Sequence, residues 1–139
     1  MIELDNRTTL AVDEDFLNNL AKTLTDKEIE LIITSNEEIQ NINATHRAID
    51  KPTDVLSFPY EKMPMCPLGS IVISETYVKE KALELGHQES AELALLFIHG
   101  LLHILGYDHE TDNGEMRKKE ASLIKEFDLP MSLIVRTQG

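Results

Sequence analysis

Residues 93–105 read LALLFIHGLLHIL, apolar all round except at His99 and His103. A helix with no polar face has to be central and covered on every side. Positions i and i+4 of a helix share one face, with Cβ atoms about 5–6 Å apart. The two imidazoles therefore stand one above the other on a single strip. Gly106 follows three residues after His103, where a left-handed glycine can end the helix and reverse the chain. Tyr107 and Asp108 then carry His109 back towards the same point. Imidazoles so placed can share one ion at a Zn–N distance of about 2.0–2.1 Å, and three neutral nitrogens leave a fourth tetrahedral position open to water. Such a water ionises near neutral pH and becomes a nucleophile. The competing reading, histidines as hydrogen-bonded core residues, requires a separate buried partner for each ring. The spacing favours a metal site at His99, His103 and His109.

Outward from this helix, strands and helices interleave. Ile2 to Asp5 suits a short strand. Asp13 suits the N-cap of a helix packed through Phe16, Leu17, Leu20, Ala21 and Leu24. Ile29 to Thr34 is rich in β-branched residues and reads as a strand. Ser35 with Glu38 is a capping-box pair opening a helix towards His46. Thr53–Phe58 and Ser70–Ser74 read as two further strands, separated by a loop holding Pro59, Pro64 and Pro67. Ser74 can cap a helix packed through Val78, Ala82 and Leu85 and stopped by Gly86. Asp112 and Glu115 make a second capping box, for a last helix with Met116, Leu123, Ile124 and Phe127 inward. The expectation is an α+β (mixed α/β) fold: a small mixed sheet of about four strands and about five helices. Helices should cover both faces, and the buried central one carries the histidines.

The 139 residues suit one domain, 1–139, large enough to bury a core without staples. A hydrophobic content of 42% argues against an acidic disordered chain. One Cys excludes an intramolecular disulfide framework, and MIELDNRT shows neither the basic nor the apolar region of a signal peptide. No apolar run reaches the roughly 18–20 residues of a membrane span. A cytoplasmic protein without a membrane partner is the expectation. The net charge of −12 excludes a protein that grips nucleic acid by its overall field, and no DNA partner is expected.

The spacing H-x-x-x-H-x-x-G-x-x-H equals the long zinc-protease signature, but the residue after its first His should be Glu, the general base, and here it is Gly100. A zinc peptidase-like hydrolase is therefore the second reading. Gly100 lowers helix propensity by about 1 kcal/mol relative to Ala. A close approach of backbone or substrate would explain it, with packing as the plain alternative.

His99-Gly100-Leu101-Leu102-His103 followed by Gly106-Tyr107-Asp108-His109 resembles the signature of the YbeY family, bacterial single-strand-specific endoribonucleases of ribosomal RNA maturation. A second block is similar to that family's other hallmark: Asn43, Arg47 and then Lys51-Pro52-Thr53-Asp54-Val55-Leu56-Ser57-Phe58-Pro59. Leu68-Gly69 and Ile71-Val72-Ile73-Ser74 match the strand that follows, so the likeness runs from about Ile29 to Glu126. The resemblance implies one divalent ion per chain, with zinc the expected metal, at His99, His103 and His109. It also implies Arg47 as the essential partner in the cleft. The implied substrate is single-stranded ribosomal RNA near the 3′ end of the small-subunit RNA, with a role in ribosome quality control and ribosomal subunits or proteins as partners. A non-catalytic ribosome-associated factor with a structural metal is the third reading. This chain departs from the family at His46, where an aromatic residue is usual, and at Ser70, where Asp is usual.

Arg47 suits a phosphate clamp, since its planar fork meets two oxygens at once; a surface ion pair with Asp50 is the alternative. Asp54 and Asp108 are candidates to orient a ligand imidazole, against turn and capping duty. His46 and His87 fall outside the metal spacing, and Cys66 reads as an ordinary thiol in the proline-rich loop. Arg117, Lys118 and Lys119 read as a solvated face or an RNA-backbone contact. With so acidic a body, RNA recognition must be local, and the expectation is a positive groove around the histidine triad.

Overall fold

The computed structural model describes residues 1–60, 67–108 and 111–130. His109 and Cys66 lie outside the described residues. The described chain runs β1 (Ile2–Asn6), α1 (Glu14–Lys22), β2 (Ile29–Thr34), α2 (Asn36–Arg47), β3 (Val55–Pro59), β4 (Gly69–Ser74), α3 (Glu75–Leu85), α4 (Glu89–Ile104) and α5 (Glu115–Glu126). The α+β reading therefore holds, with its four strands and five helices. Strand order is β1-β2-β4-β3. β1 pairs parallel with β2 and β2 with β4, whereas β3 runs antiparallel along β4 as an edge strand.

Period-2 alternation decides what each face of the sheet buries. Ile71 and Ile73 of β4 join Leu31 and Ile33 of β2 in the main core, against Phe97, Ile98, Leu101 and Leu102 of α4. Val72, between them, joins Ile39 of α2 and Leu56 of β3 in a smaller cluster on the opposite face. Helices thus cover both faces, α2 one of them. Helix α4 is buried at twelve of its sixteen residues, as its apolar sequence requires. Among the described residues no helix is long and apolar enough to cross a membrane.

Close seating of α4 on the sheet is permitted by glycine. A Cβ at Gly100 would stand 2.9 Å from Ile71 Cγ2, 3.1 Å from Ser57 Oγ and 3.3 Å from Val55 Cγ2. A Cβ at Gly69 of β4 would stand 2.6 Å from the carbonyl oxygen of Phe58 and 3.0 Å from Ile104 Cδ1. Packing against the sheet therefore accounts for Gly100. Ser57 Oγ adds a hydrogen bond to the Gly100 carbonyl at 3.1 Å, tying β3 to α4.

The caps follow the sequence with two corrections. Asp13, Ser35 and Ser74 accept from the backbone N–H groups of Phe16, Glu38 and Tyr77. Ser35 makes only half a box, because the Glu38 carboxylate turns instead to the Thr34 hydroxyl, at 2.7 Å, and to Arg7. Those two hydrogen bonds, Thr34 first, hold the Glu38 carboxyl below its ordinary pKa. The Asp112–Glu115 box is displaced: Gly114 is the N-cap of α5. Asp112 holds that turn through its two carboxylate oxygens, which accept from Gly114 N at 2.8 Å and Met116 N at 3.0 Å. Its short side chain reaches the backbone two residues on, and this competes with direct capping.

Two substitutions test this packing. Gly100→Ala gains about 1 kcal/mol of helix propensity, but overpacking against a stiff buried side chain costs about 1–3 kcal/mol. We expect net destabilisation in urea unfolding, opposite in sign to the propensity effect. Ala48, which ends α2, has φ 57°, a left-handed backbone disfavoured by about 1–2 kcal/mol for a residue with a Cβ. Ala48→Gly relieves this at some cost in unfolded-chain entropy, and should raise stability by about 0.5–1 kcal/mol in the same assay.

Candidate active site

An open cleft of about 530 Å³ lies where α4 meets the edge strand β3. Its walls bring together Arg47, Asp54, His99, His103 and Asp108, with Ser57, Gly106 and Tyr107. Five residues singled out in the sequence, spread over more than sixty positions, thus share one cavity.

The histidines are placed by the helix and its end. His99 Nε2 lies 3.2 Å from His103 Nε2, with the rings 4.7 Å apart between centroids and inclined at 78°. Two ligands of a tetrahedral zinc at about 2.0–2.1 Å stand roughly 3.3 Å apart. The nitrogen pair therefore already has the separation that a shared ion requires. Beyond His103 the helix closes through Gly106 N to the His103 carbonyl and Tyr107 N to the Leu102 carbonyl, with Gly106 at φ 104°. This paired pattern around a left-handed glycine is the chain reversal read from the sequence. Among the described residues no three metal-type side chains form a cluster.

Arg47 comes from the last turn of α2. The left-handed Ala48 ends that helix. Asn43, buried, donates from Nδ2 to the Lys51 carbonyl at 2.9 Å, fastening the segment that leads from α2 to β3. Asn43 thus positions the loop, while Arg47 is exposed on the cleft wall. Among the described residues Arg47 makes no ion pair, and Asp50 instead accepts from Gln40 Nε2 at 3.0 Å.

Asp54 accepts from Val55 N at 2.8 Å and so shapes the entry to β3. Asp108 provides its backbone carbonyl to Thr111 N and Asp112 N, holding the turn beyond Tyr107. The carboxylate that grips a histidine in this cleft was not picked out in the sequence. It is Glu120 of α5, whose Oε1 lies 2.8 Å from His99 Nδ1. Its separation of 21 residues from His99 left no local spacing to reveal it. The only signal was a lone acid among the inward positions of the last helix.

Several expectations change here. Among the described residues the charged side chains of the cleft wall are one guanidinium, Arg47, and two carboxylates, Asp54 and Asp108, so these alone do not make it positive. Arg117, Lys118 and Lys119 are absent from the cleft wall. His46 packs its ring against Phe58 at 5.3 Å. His87 pairs with buried Glu92 at 3.0 Å. Ser70 pairs in register with Phe58 and falls on the α2 face by strand alternation, away from the histidine cleft.

Comparisons with known proteins agree with this architecture. The family model described as Endoribonuclease YbeY matches residues 2–128. An Endoribonuclease YbeY of Sulfurimonas denitrificans is 60% identical over 139 residues, covering all of both chains. That of Helicobacter pylori strain J99 is 54% identical over 99% of each chain. The solution structure of a Thermotoga maritima protein superimposes with a TM-score of 0.63 at 32% identity, over 91% of this chain and 89% of that one. On the match over residues 2–128 and the full-length identities, the chain belongs to the YbeY endoribonuclease family.

Proposed function

We propose that this protein is a metal-dependent endoribonuclease that cuts single-stranded RNA during ribosomal RNA maturation. Endoribonuclease activity is that of the family to which the chain belongs, and RNA is its substrate. The observation that carries the metal-dependent reading is the convergence of His99 Nε2 and His103 Nε2 to 3.2 Å inside a cleft walled by Arg47. His99 and His103 would hold the ion, with His109 as the third ligand that the motif supplies; zinc fits imidazole donors. When bound, the ion supplies Lewis acidity and acidifies a coordinated water.

The protein groups do the positioning. Arg47 offers a planar pair of donors to a phosphodiester, and among the described residues it has no ion pair to break first. Its place at the C-terminal end of α2 lets the helix dipole help hold the guanidinium near the cleft. With Arg47, Asp54 and Asp108 as the charged groups of the described wall, a divalent charge would make the groove attractive to a phosphate. This reconciles the acidic chain with an RNA substrate. Ribosomal RNA near the small-subunit 3′ end, ribosomal partners, a cytoplasmic location and action within a single domain complete the proposal, and they rest on the two motifs.

The peptidase alternative loses support from Gly100, whose missing side chain would point at Ile71, Ser57 and Val55 of the sheet. A general base at that position would need the space that Ile71, Ser57 and Val55 already fill.

Two variants test the reading against single-stranded RNA, duplex RNA and casein, with and without a chelator. Arg47→Ala should lower RNA cleavage by about 10²–10³-fold, the loss typical of removing one donor to a developing charge, at unchanged metal content. His103→Ala should lose both metal and cleavage. Chelator-induced unfolding with no cleavage of RNA by the untreated protein would instead favour a structural metal.

A further inference from the structure

Glu120 is 1% exposed, yet it sits on the α5 face that otherwise buries Met116, Leu123 and Ile124. A carboxylate is rarely so buried unless it is paired. Its Oε1 meets His99 Nδ1 at 2.8 Å, and among the described residues its Oε2 has no hydrogen-bond partner. Packing does not explain an acid here, since an apolar residue of similar volume would fill the place without desolvating a charge. What Glu120 does accomplish is orientation. A carboxylate at Nδ1 keeps the proton on that nitrogen and leaves Nε2 as the lone-pair donor. Nε2 is the His99 atom that converges with His103.

We propose that Glu120 is a positioning residue. From α5 it fixes His99 as the Nδ1–H tautomer with its ring plane set, so that Nε2 presents its lone pair to the ion site. The inference rests on the metal reading of His99 and His103 given above. It also assigns α5 a role: the helix carries the group that aligns a ligand on α4, and so couples the last part of the fold to the cleft.

The test uses the full chain and two variants, Glu120→Gln and Glu120→Leu. In zinc-free wild type at pH 8, ¹⁵N shifts of the His99 ring should show the proton on Nδ1. Glu120→Leu should show a mixture of tautomers. Zinc affinity, measured by competition with a chromogenic chelator, should fall by about 10–100-fold in both variants and further in Glu120→Leu. The zinc-free unfolding temperature of Glu120→Leu should not fall, which separates positioning from support of the fold. If Glu120→Leu fails to fold, Glu120→Gln carries the affinity measurement. A wild-type His99 protonated on Nε2, or variants binding zinc as tightly as wild type, would overturn the role of Glu120 alone. A wild type that takes up neither zinc nor Co²⁺ would overturn the metal reading and this inference with it.

Discussion

The close contact of α4 with the sheet at Gly100 is the constraint on which the site depends. Without a Cβ there, the helix backbone comes down onto Ile71 and Val55, near enough for the Ser57 hydroxyl to reach the Gly100 carbonyl. The buried faces of α4 are then filled by β3 and β4 on one side and by α3, α5 and α1 around it, and the strip left open lines the cleft beside β3. His99 and His103 lie on that strip, with the His99 side chain 23% exposed. One contact thus fixes the helix depth, the rotation of its histidines and their distance from the strand that forms the other wall. A close-packed interior transmits a misfit of a fraction of an ångström to whatever it supports. The histidine pair, needing 3.2 Å between nitrogens, would feel it.

Charge explains the rest of the design. A body of net charge −12 repels polyanions at long range, and salt screening shortens that field to about 8 Å at physiological ionic strength. Binding must therefore come from contacts inside the cleft. There, the described wall carries one guanidinium against two carboxylates. Under the proposed metal reading, coupling substrate attraction to ion occupancy would give a simple safeguard. An excess of lysines around the cleft would have bound RNA whether or not the site was ready.

The parts legible in the sequence were those set by local periodicity and local caps. The apolar run around His99 announced a central helix, and Gly106 announced the reversal after it. The interleaving of strands and helices along the chain announced a sheet covered on both faces. Long-range relations were not legible. Nothing near Glu120 indicates that its partner is His99, because the pairing exists only once α5 packs on α4. The role of Gly100 was likewise undecided between substrate and packing until Ile71 and Ser57 were seen facing it. Asp112 was misread as a cap for a related reason: a short acid before a helix can bind the backbone of its own turn as readily as the helix end. Arg117 and Lys118 stand in solvent, as a solvated face requires, while the same helix turns Glu120 inward to His99, a relation no local spacing announced.

The two halves of the site differ in how firmly the fold holds them, and the difference suits their tasks. His99 is held from three directions, by its helix, by His103 and by Glu120. Such restraint would suit the proposed metal ligand, aligned before anything binds. Arg47 instead projects from a helix end, with no ion pair among the described residues, in a segment stopped by a left-handed Ala48 and tethered through Asn43 to the Lys51 carbonyl. A guanidinium left this free loses side-chain entropy only when phosphate arrives, so its grip depends on the substrate being present. Duplex RNA presents stiff, evenly spaced phosphates, whereas a single strand can bend to bring one phosphate to Arg47 and the histidines together. The proposed preference for single strands would then follow from a cleft at a sheet edge: the substrate would supply the flexibility that His99 and His103 lack.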